Sequence, residues 1–245
     1  MTEMTTIPAN PDVPAFLARP HDKAKAAIIV IHEVWGLTDH IKAVADRFAA
    51  EGYLALAPDL LSGTEVDTGA MEGLQEALFD PKRRNQIQPE LRKLMAPLQK
   101  PEFGTAVTKR LQACFEYLYN LPDAHERVAV VGFCFGGSYS FSLAVAERRL
   151  KLAVPFYGHS DHSVDELKHI ACPMRAFYGE QDERLISQLP DLTKRMQAAG
   201  VDFETKVYPD CGHAFFNDTN PHAYNPTAAD DAWKRTLELL AHHLV

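Results

Sequence analysis

Short apolar runs that recur between longer amphipathic stretches restrict the fold of this chain more than any other feature. They are AAIIVI (26–31), YLALAP (53–58), VAVVGF (128–133), LAVPFYG (152–158), MRAFYG (174–179) and FETKVYP (203–209). Most are continuous rather than alternating, which is the pattern of strands covered on both faces. Helical spacing lies between them. In DHIKAVADRFAAEG, Ile41, Val44, Ala45 and Phe48 share one face, and Gly52 follows as a stop. In TAVTKRLQACFEYLYNLP the stripe is Val107, Leu111, Cys114, Phe115 and Leu118, with Thr105 at its start; a last helix stacks Trp233, Leu237, Leu240 and Leu244. Strands alternating with helices require right-handed crossovers. The expected class is therefore α/β: a mostly parallel central sheet with helices on both faces.

The 245 residues suit one domain. No internal repeat or low-complexity linker interrupts them. The segment 61–104, rich in glycine and proline and partly basic, reads as an insertion that covers the active site, or else as a plain solvated connection. The net charge of -8 gives no basic face for nucleic acid. No run approaches the roughly 18 apolar residues of a membrane helix. The cysteines are Cys114, Cys134, Cys172 and Cys211. None pairs as CxxC, so neither a zinc site nor thioredoxin-like chemistry is expected. The start, MTEMTTIPANPDVPAF, lacks a basic segment and an apolar core, so a cytoplasmic protein is expected. A monomer is expected too.

The stretch GFCFGG has the form G-x-Nuc-x-G-G, directly after an apolar run and directly before the amphipathic SYSFSLAVAERR. That is the context of a nucleophile elbow. Gly132 and Gly136 give clearance for a sharp turn at Cys134. The N-terminus of the following helix favours thiolate, and Phe135 N–H is the expected oxyanion donor. The bland alternative is a buried cysteine among Phe133 and Phe135. Cys114 and Cys172 read as core residues. Ser138 and Ser140 are rival nucleophiles, but they fall inside the helix.

A cysteine nucleophile needs a base, and the base an orienting group. Asp182 follows Cys134 by 48 residues, and His213 follows Asp182 by 31. Each lies just past an apolar run, where α/β sheets carry their chemistry. Either could be an ordinary surface residue alone; order and placement make the pattern Cys134, Asp182, His213. The first run ends in His32-Glu33-Val34-Trp35-Gly36. Val34 N–H is a candidate second oxyanion donor, with Trp35 in the same loop. Glu33 points into the same region, where a carboxylate holds a thiol neutral, accepts its proton, or merely braces the loop.

HEVWGL, EGYLALAPDL, VGFCFGG, PFYG, YGEQDE and GHAFFND together closely resemble the dienelactone hydrolase (carboxymethylenebutenolidase) family of α/β-hydrolases, from about residue 13 to the end. The resemblance implies an α/β-hydrolase fold and a triad of Cys134, Asp182 and His213. It places Glu33 against the nucleophile and Tyr157 beside the site. Enzymes of the family that open dienelactone grip its carboxylate with arginines, one of them four residues past the histidine. Here that residue is Asn217, which lacks a charged bidentate fork. Arg83 or Arg84 could compensate. The expected function is cysteine-dependent hydrolysis of a carboxylic ester or lactone through an acyl-enzyme, with a small-molecule substrate and no metal or organic cofactor. A non-catalytic ligand-binding or regulatory protein on the same scaffold, or a thiol redox sensor at Cys134, are the alternatives.

Overall fold

A computed structural model describes residues 1–79 and 83–245. The chain forms β1 (Thr2–Ile7), β2 (Val13–Ala18), β3 (Ala27–Ile31), α1 (Asp39–Ala50) and β4 (Leu54–Pro58). Then come α2 (Thr68–Phe79), α3 (Arg84–Met95), α4 (Pro101–Tyr119), β5 (Val128–Phe133) and α5 (Phe135–Ala146). The remainder is β6 (Leu152–Phe156), α6 (Val164–Leu167), β7 (Met174–Gly179), α7 (Glu183–Ala199), β8 (Phe203–Tyr208) and α8 (Pro226–Leu244). One eight-stranded sheet results, in the order β1-β2-β4-β3-β5-β6-β7-β8. β1, β2 and β4 are joined antiparallel, and every pairing from β4 across to β8 is parallel.

All six apolar runs are strands. β3, β4, β5 and β6 are buried along their whole length, as their continuous patterns require. Alternate residues serve two cores. Ile29 and Ile31 face the cluster with α4 and α5; Ile28 and Val30 face the one with α1 and α8. Phe48 of α1 meets Trp233 of α8 with ring centroids 4.5 Å apart. Truncating so buried a ring costs about 3–5 kcal/mol.

Two elements differ from the sequence expectation at their starts, and one is new. α4 starts at Pro101 and α8 at Pro226, each about two turns before Val107 and Trp233, the first residues of their apolar stripes. Proline suits a first helical position because its missing N–H would be unpaired there and its φ is already helical. Asn225 caps α8 by accepting from Ala228 N–H at 3.1 Å. The β1–β2 hairpin left no apolar run to read: β1 is an edge strand mostly open to solvent, and β2 buries only alternate positions up to Leu17.

In a parallel sheet, loops at the carboxyl ends of neighbouring strands converge. Here the loops after β3, β5, β7 and β8 carry Glu33, Cys134, Asp182 and His213.

Candidate active site

The turn between β5 and α5 holds Cys134 at φ 55°, ψ -108°. A non-glycine residue so placed costs on the order of 1–3 kcal/mol, so its surroundings must impose it. They do so from two sides. Cys134 N–H donates to Phe156 O of β6 at 3.0 Å, and Gly136 N–H donates to His32 O at 3.0 Å. A Cβ on Gly132 would collide with the Gly136 carbonyl, and one on Gly136 would strike the Ile31 carbonyl. Only bare glycines let the two loops and the turn approach so closely. Phe135 opens α5, so its N–H has no helical carbonyl to donate to.

His32 is a hub that sequence reading passed over. It is fully buried. Its Nε2 accepts from Leu60 N–H at 3.1 Å, so the proton sits on Nδ1, which donates to Glu33 O at 2.6 Å. Burial pushes its pKa down and keeps it neutral. Its ring stacks on Phe135, with centroids 5.5 Å apart. One neutral imidazole thus ties the β3 loop, the β4 loop and the elbow together. The signal was only its position in HEVWG.

Asp182 is the N-cap of α7, and its Oδ1 accepts from Leu185 N–H at 3.4 Å. Its Oδ2 lies 2.5 Å from His213 Nδ1. Burial alone would raise the Asp182 pKa; the hydrogen bond and charge of His213 outweigh it, helped by Leu185 N–H and the Arg184 charge, and the pKa is lowered. His213 sits in the loop after β8, which passes through Asp210 at φ 56° and Ala214 at φ 62°. The loop is tied to the end of β7 by Gln181 N–H donating to Cys211 O at 2.8 Å. His213 and Cys134 line the same cavity and interact electrostatically. Burial works against an imidazolium here, but negative charge on the Cys134 sulfur and the Asp182 carboxylate prevail, and the pKa is raised to about 10. Carboxylate and imidazole are thus hydrogen-bonded, and the Cys134 thiol shares the cavity wall with the imidazole.

Glu33 reaches the same place from the other side, with 4% of its surface exposed. Asn217 Nδ2 donates to its Oε2 at 2.6 Å, and Tyr157 OH donates to its Oε1 at 3.4 Å. Asn217 is itself fixed, since its Oδ1 accepts from Thr219 N–H at 3.0 Å and Thr219 Oγ1–H at 2.7 Å. Burial raises the Glu33 pKa, against the charges of His40 and His213 and the two hydrogen bonds. Tyr157 is pinned at φ 39° with its ring 5.0 Å from that of His213. Its pKa stands well above the usual phenol value because it is buried and lies beside the Glu33 and Cys134 charges, so it remains a donor.

A cavity of about 730 Å³ opens over these groups, lined by Cys134, His213, Asp182, Glu33, Val34 and Trp35 among others. Leu91 and Met95 of α3, inside the 61–104 segment, also face it. Tyr157 and Asn217 do not line it; both are about 1% exposed and lie behind Glu33. Arg83 is exposed and outside the lining, and the side chain of Arg84 lies outside the described residues. The rival serines are engaged within α5: Ser138 Oγ lies 3.0 Å from His159 Nδ1 and accepts from His159 N–H, and Ser140 Oγ–H donates to Gly136 O at 2.8 Å. Cys114 and Cys172 are buried, with thiol pKa values pushed up to about 12 by burial. Among the described residues, no group of three or more His, Cys, Asp or Glu is arranged to hold a metal ion.

Known proteins share this architecture and sequence. Residues 13–244 match the Dienelactone hydrolase family. A protein of Saccharolobus solfataricus called "Putative carboxymethylenebutenolidase" is 34% identical over 92% of this chain and 92% of its own. One of the same description from Escherichia coli K12 is 30% identical over 96% of this chain and 84% of its own. A crystal structure titled as a "Putative Dienelactone Hydrolase" from Klebsiella pneumoniae superimposes with a TM-score of 0.83 at 27% identity, over 98% of each chain. The sheet order, the elbow after β5 and the sequence from residue 13 onward converge on one assignment: this chain is an α/β-hydrolase of the dienelactone hydrolase family.

Proposed function

We propose that the protein hydrolyses a carboxylic ester or lactone with Cys134 as nucleophile, His213 as acid and base, and Asp182 as the group that orients and charges His213. The observation that carries this reading is the line of Cys134, His213 and Asp182 along one cavity wall, with Cys134 held at positive φ and His213 hydrogen-bonded to Asp182. A lone redox thiol would have no use for that line.

The sulfur attacks the acyl carbon, and the carbonyl oxygen becomes an oxyanion. Phe135 N–H, unpaired at the head of α5, and Val34 N–H, from a cavity-lining residue, are the donors proposed for it. His213 protonates the leaving alkoxide as the C–O bond breaks, which leaves a thioester on Cys134. The same electrostatics then serve the second half. Negative charge on sulfur is a main cause of the raised His213 pKa, and acylation removes it. His213 can then take a proton from water; the hydroxide attacks the thioester carbon, and the C–S bond breaks to release the carboxylic acid and return the Cys134 thiolate beside a protonated His213. Glu33 lines the same cavity as Cys134, and its burial works against a second negative charge there.

Leu91 and Met95 support a further part of the proposal, that the 61–104 segment covers the site. The direct test is Cys134→Ala assayed with p-nitrophenyl and lactone substrates. Turnover should vanish while the circular dichroism spectrum and melting temperature stay near those of the parent. Retention of most activity would overturn the proposal. Ester binding without product in the parent would favour the non-catalytic alternative.

A further inference from the structure

The charges around the cavity restrict what can enter it. Its lining carries four carboxylates, Glu33, Asp182, Glu183 and Asp210. The basic groups in the lining are His213 and His222, and no lysine or arginine is among the described lining residues. His213 is committed to Asp182 and Cys134. Arg184 acts on Asp182 without lining the cavity.

The carboxylates are not scattered. Asp182 ends the loop after β7 and Glu183 opens α7, and Asp210 comes from the loop after β8. Those loops are joined by the bond from Gln181 N–H to Cys211 O, and by Asp210 N–H donating to Glu180 Oε2 at 3.4 Å. The apolar part of the lining comes from other elements: Val34 and Trp35 after β3, and Leu91 and Met95 on α3. Asn217 offers no compensating charge: it is about 1% exposed, lies outside the lining and donates through Nδ2 to Glu33. A carboxylate brought into this cavity would meet like charge at its acidic edge and no described lysine or arginine to pair with.

We infer that the cavity selects esters or lactones that carry no negative charge, and favours an apolar body joined to a neutral or cationic group. The inference rests on the hydrolase reading above and concerns the substrate class of the same site. Asp182, Glu183 and Asp210 supply the rejection from one side of the cavity. Glu183 and Asp210 are exposed and act at longer range, where salt screens them.

Three p-nitrophenyl esters of equal chain length separate the outcomes: the neutral hexanoate, the anionic monoester of adipate, and the cationic 6-(trimethylammonio)hexanoate. At low salt, kcat/KM for the adipate should fall at least about tenfold below the hexanoate, roughly 1.4 kcal/mol. The cationic ester should match or exceed the hexanoate. High salt and the double variant Glu183→Gln, Asp210→Asn should each narrow the gap between anion and cation severalfold. Equal or faster turnover of the adipate at low salt would overturn the inference while leaving the hydrolase reading intact. If no ester of any charge were hydrolysed above the Cys134→Ala background, the hydrolase reading and this inference would both fall.

Discussion

Asp182 and Glu33 are both carboxylates beside one imidazole and one thiol, and their surroundings push them in opposite directions. Asp182 receives a full hydrogen bond from His213 and another from Leu185 N–H, and is held ionised below its ordinary range. Glu33 receives its bonds from an amide and a phenol, lies almost wholly buried, and is driven upward. Burial opposes charge in both cases. The difference is that Asp182 meets a cation at hydrogen-bond distance, whereas the hydrogen bonds to Glu33 come from neutral donors. Asp182 is thus favoured as the charged partner of the histidine, whereas burial works against charge on Glu33. Such divergence between paired acids is a common mark of acid–base sites.

Breaking the Asp182 side should have the largest consequence. Asn keeps the N-cap acceptor for Leu185, so the fold of Asp182→Asn should survive. His213 would lose the partner that fixes its tautomer, and kcat should drop on the order of 10³–10⁴-fold, by analogy with other orienting aspartates. Steady-state kinetics beside a melting curve separate the two effects. Glu33→Gln should cost far less, about tenfold in kcat/KM, because the amide keeps the size of the side chain and an acceptor for Asn217 where burial already disfavours charge. A loss as deep as that of Asp182→Asn would mean that ionised Glu33 takes part in chemistry and would dissolve the contrast.

Asn217→Ala sharpens the contrast from behind Glu33. It removes the donor to Glu33 Oε2 and leaves a buried acceptor unpaired. Stability should fall by about 1–3 kcal/mol, readable by urea denaturation at neutral pH. The loss should be smaller at pH 5, where more Glu33 is protonated.

The pH dependence of stability carries the smallest signal and separates the acids by sign. Asp182 has a lowered folded pKa, so its contribution is present above its unfolded value, near 3.8, and fades as pH falls through the folded value. Glu33 has a raised folded pKa, so its contribution is full below its unfolded value, near 4.5, and is lost as pH climbs through the folded value. Between pH 5 and 8, Glu33→Gln should therefore gain stability relative to the parent as pH rises, and Asp182→Asn should show no such trend. The acylation rate has a separate limit. It needs a protonated His213, so it should hold through neutrality and decline only as pH approaches about 10.

Much of this was legible locally. The elbow shows because its glycines, its cysteine and its helix lie within a few residues of one another. Asp182 and His213 show because each follows a recognisable strand. The Glu33–Asn217 bond joins residues 184 positions apart, and nothing local marks Asn217 as a partner rather than a cavity residue. Its buried role turned the question of substrate charge from a missing arginine into the acidic edge of the cavity. His32 was equally hidden, because its three attachments come from separate loops. The N-terminal hairpin escaped because edge strands bury too little to leave a pattern.

The covalent intermediate is the most direct test of the account. Enzyme in excess over a p-nitrophenyl ester would be quenched in acid within the first turnover and mapped by peptide mass spectrometry. The account predicts the acyl group on Cys134, absent from Cys134→Ala and prolonged in lifetime when Asp182 is Asn. Product formed with the acyl group on Ser138, or with no covalent intermediate while Cys134→Ala still turns over, would contradict it.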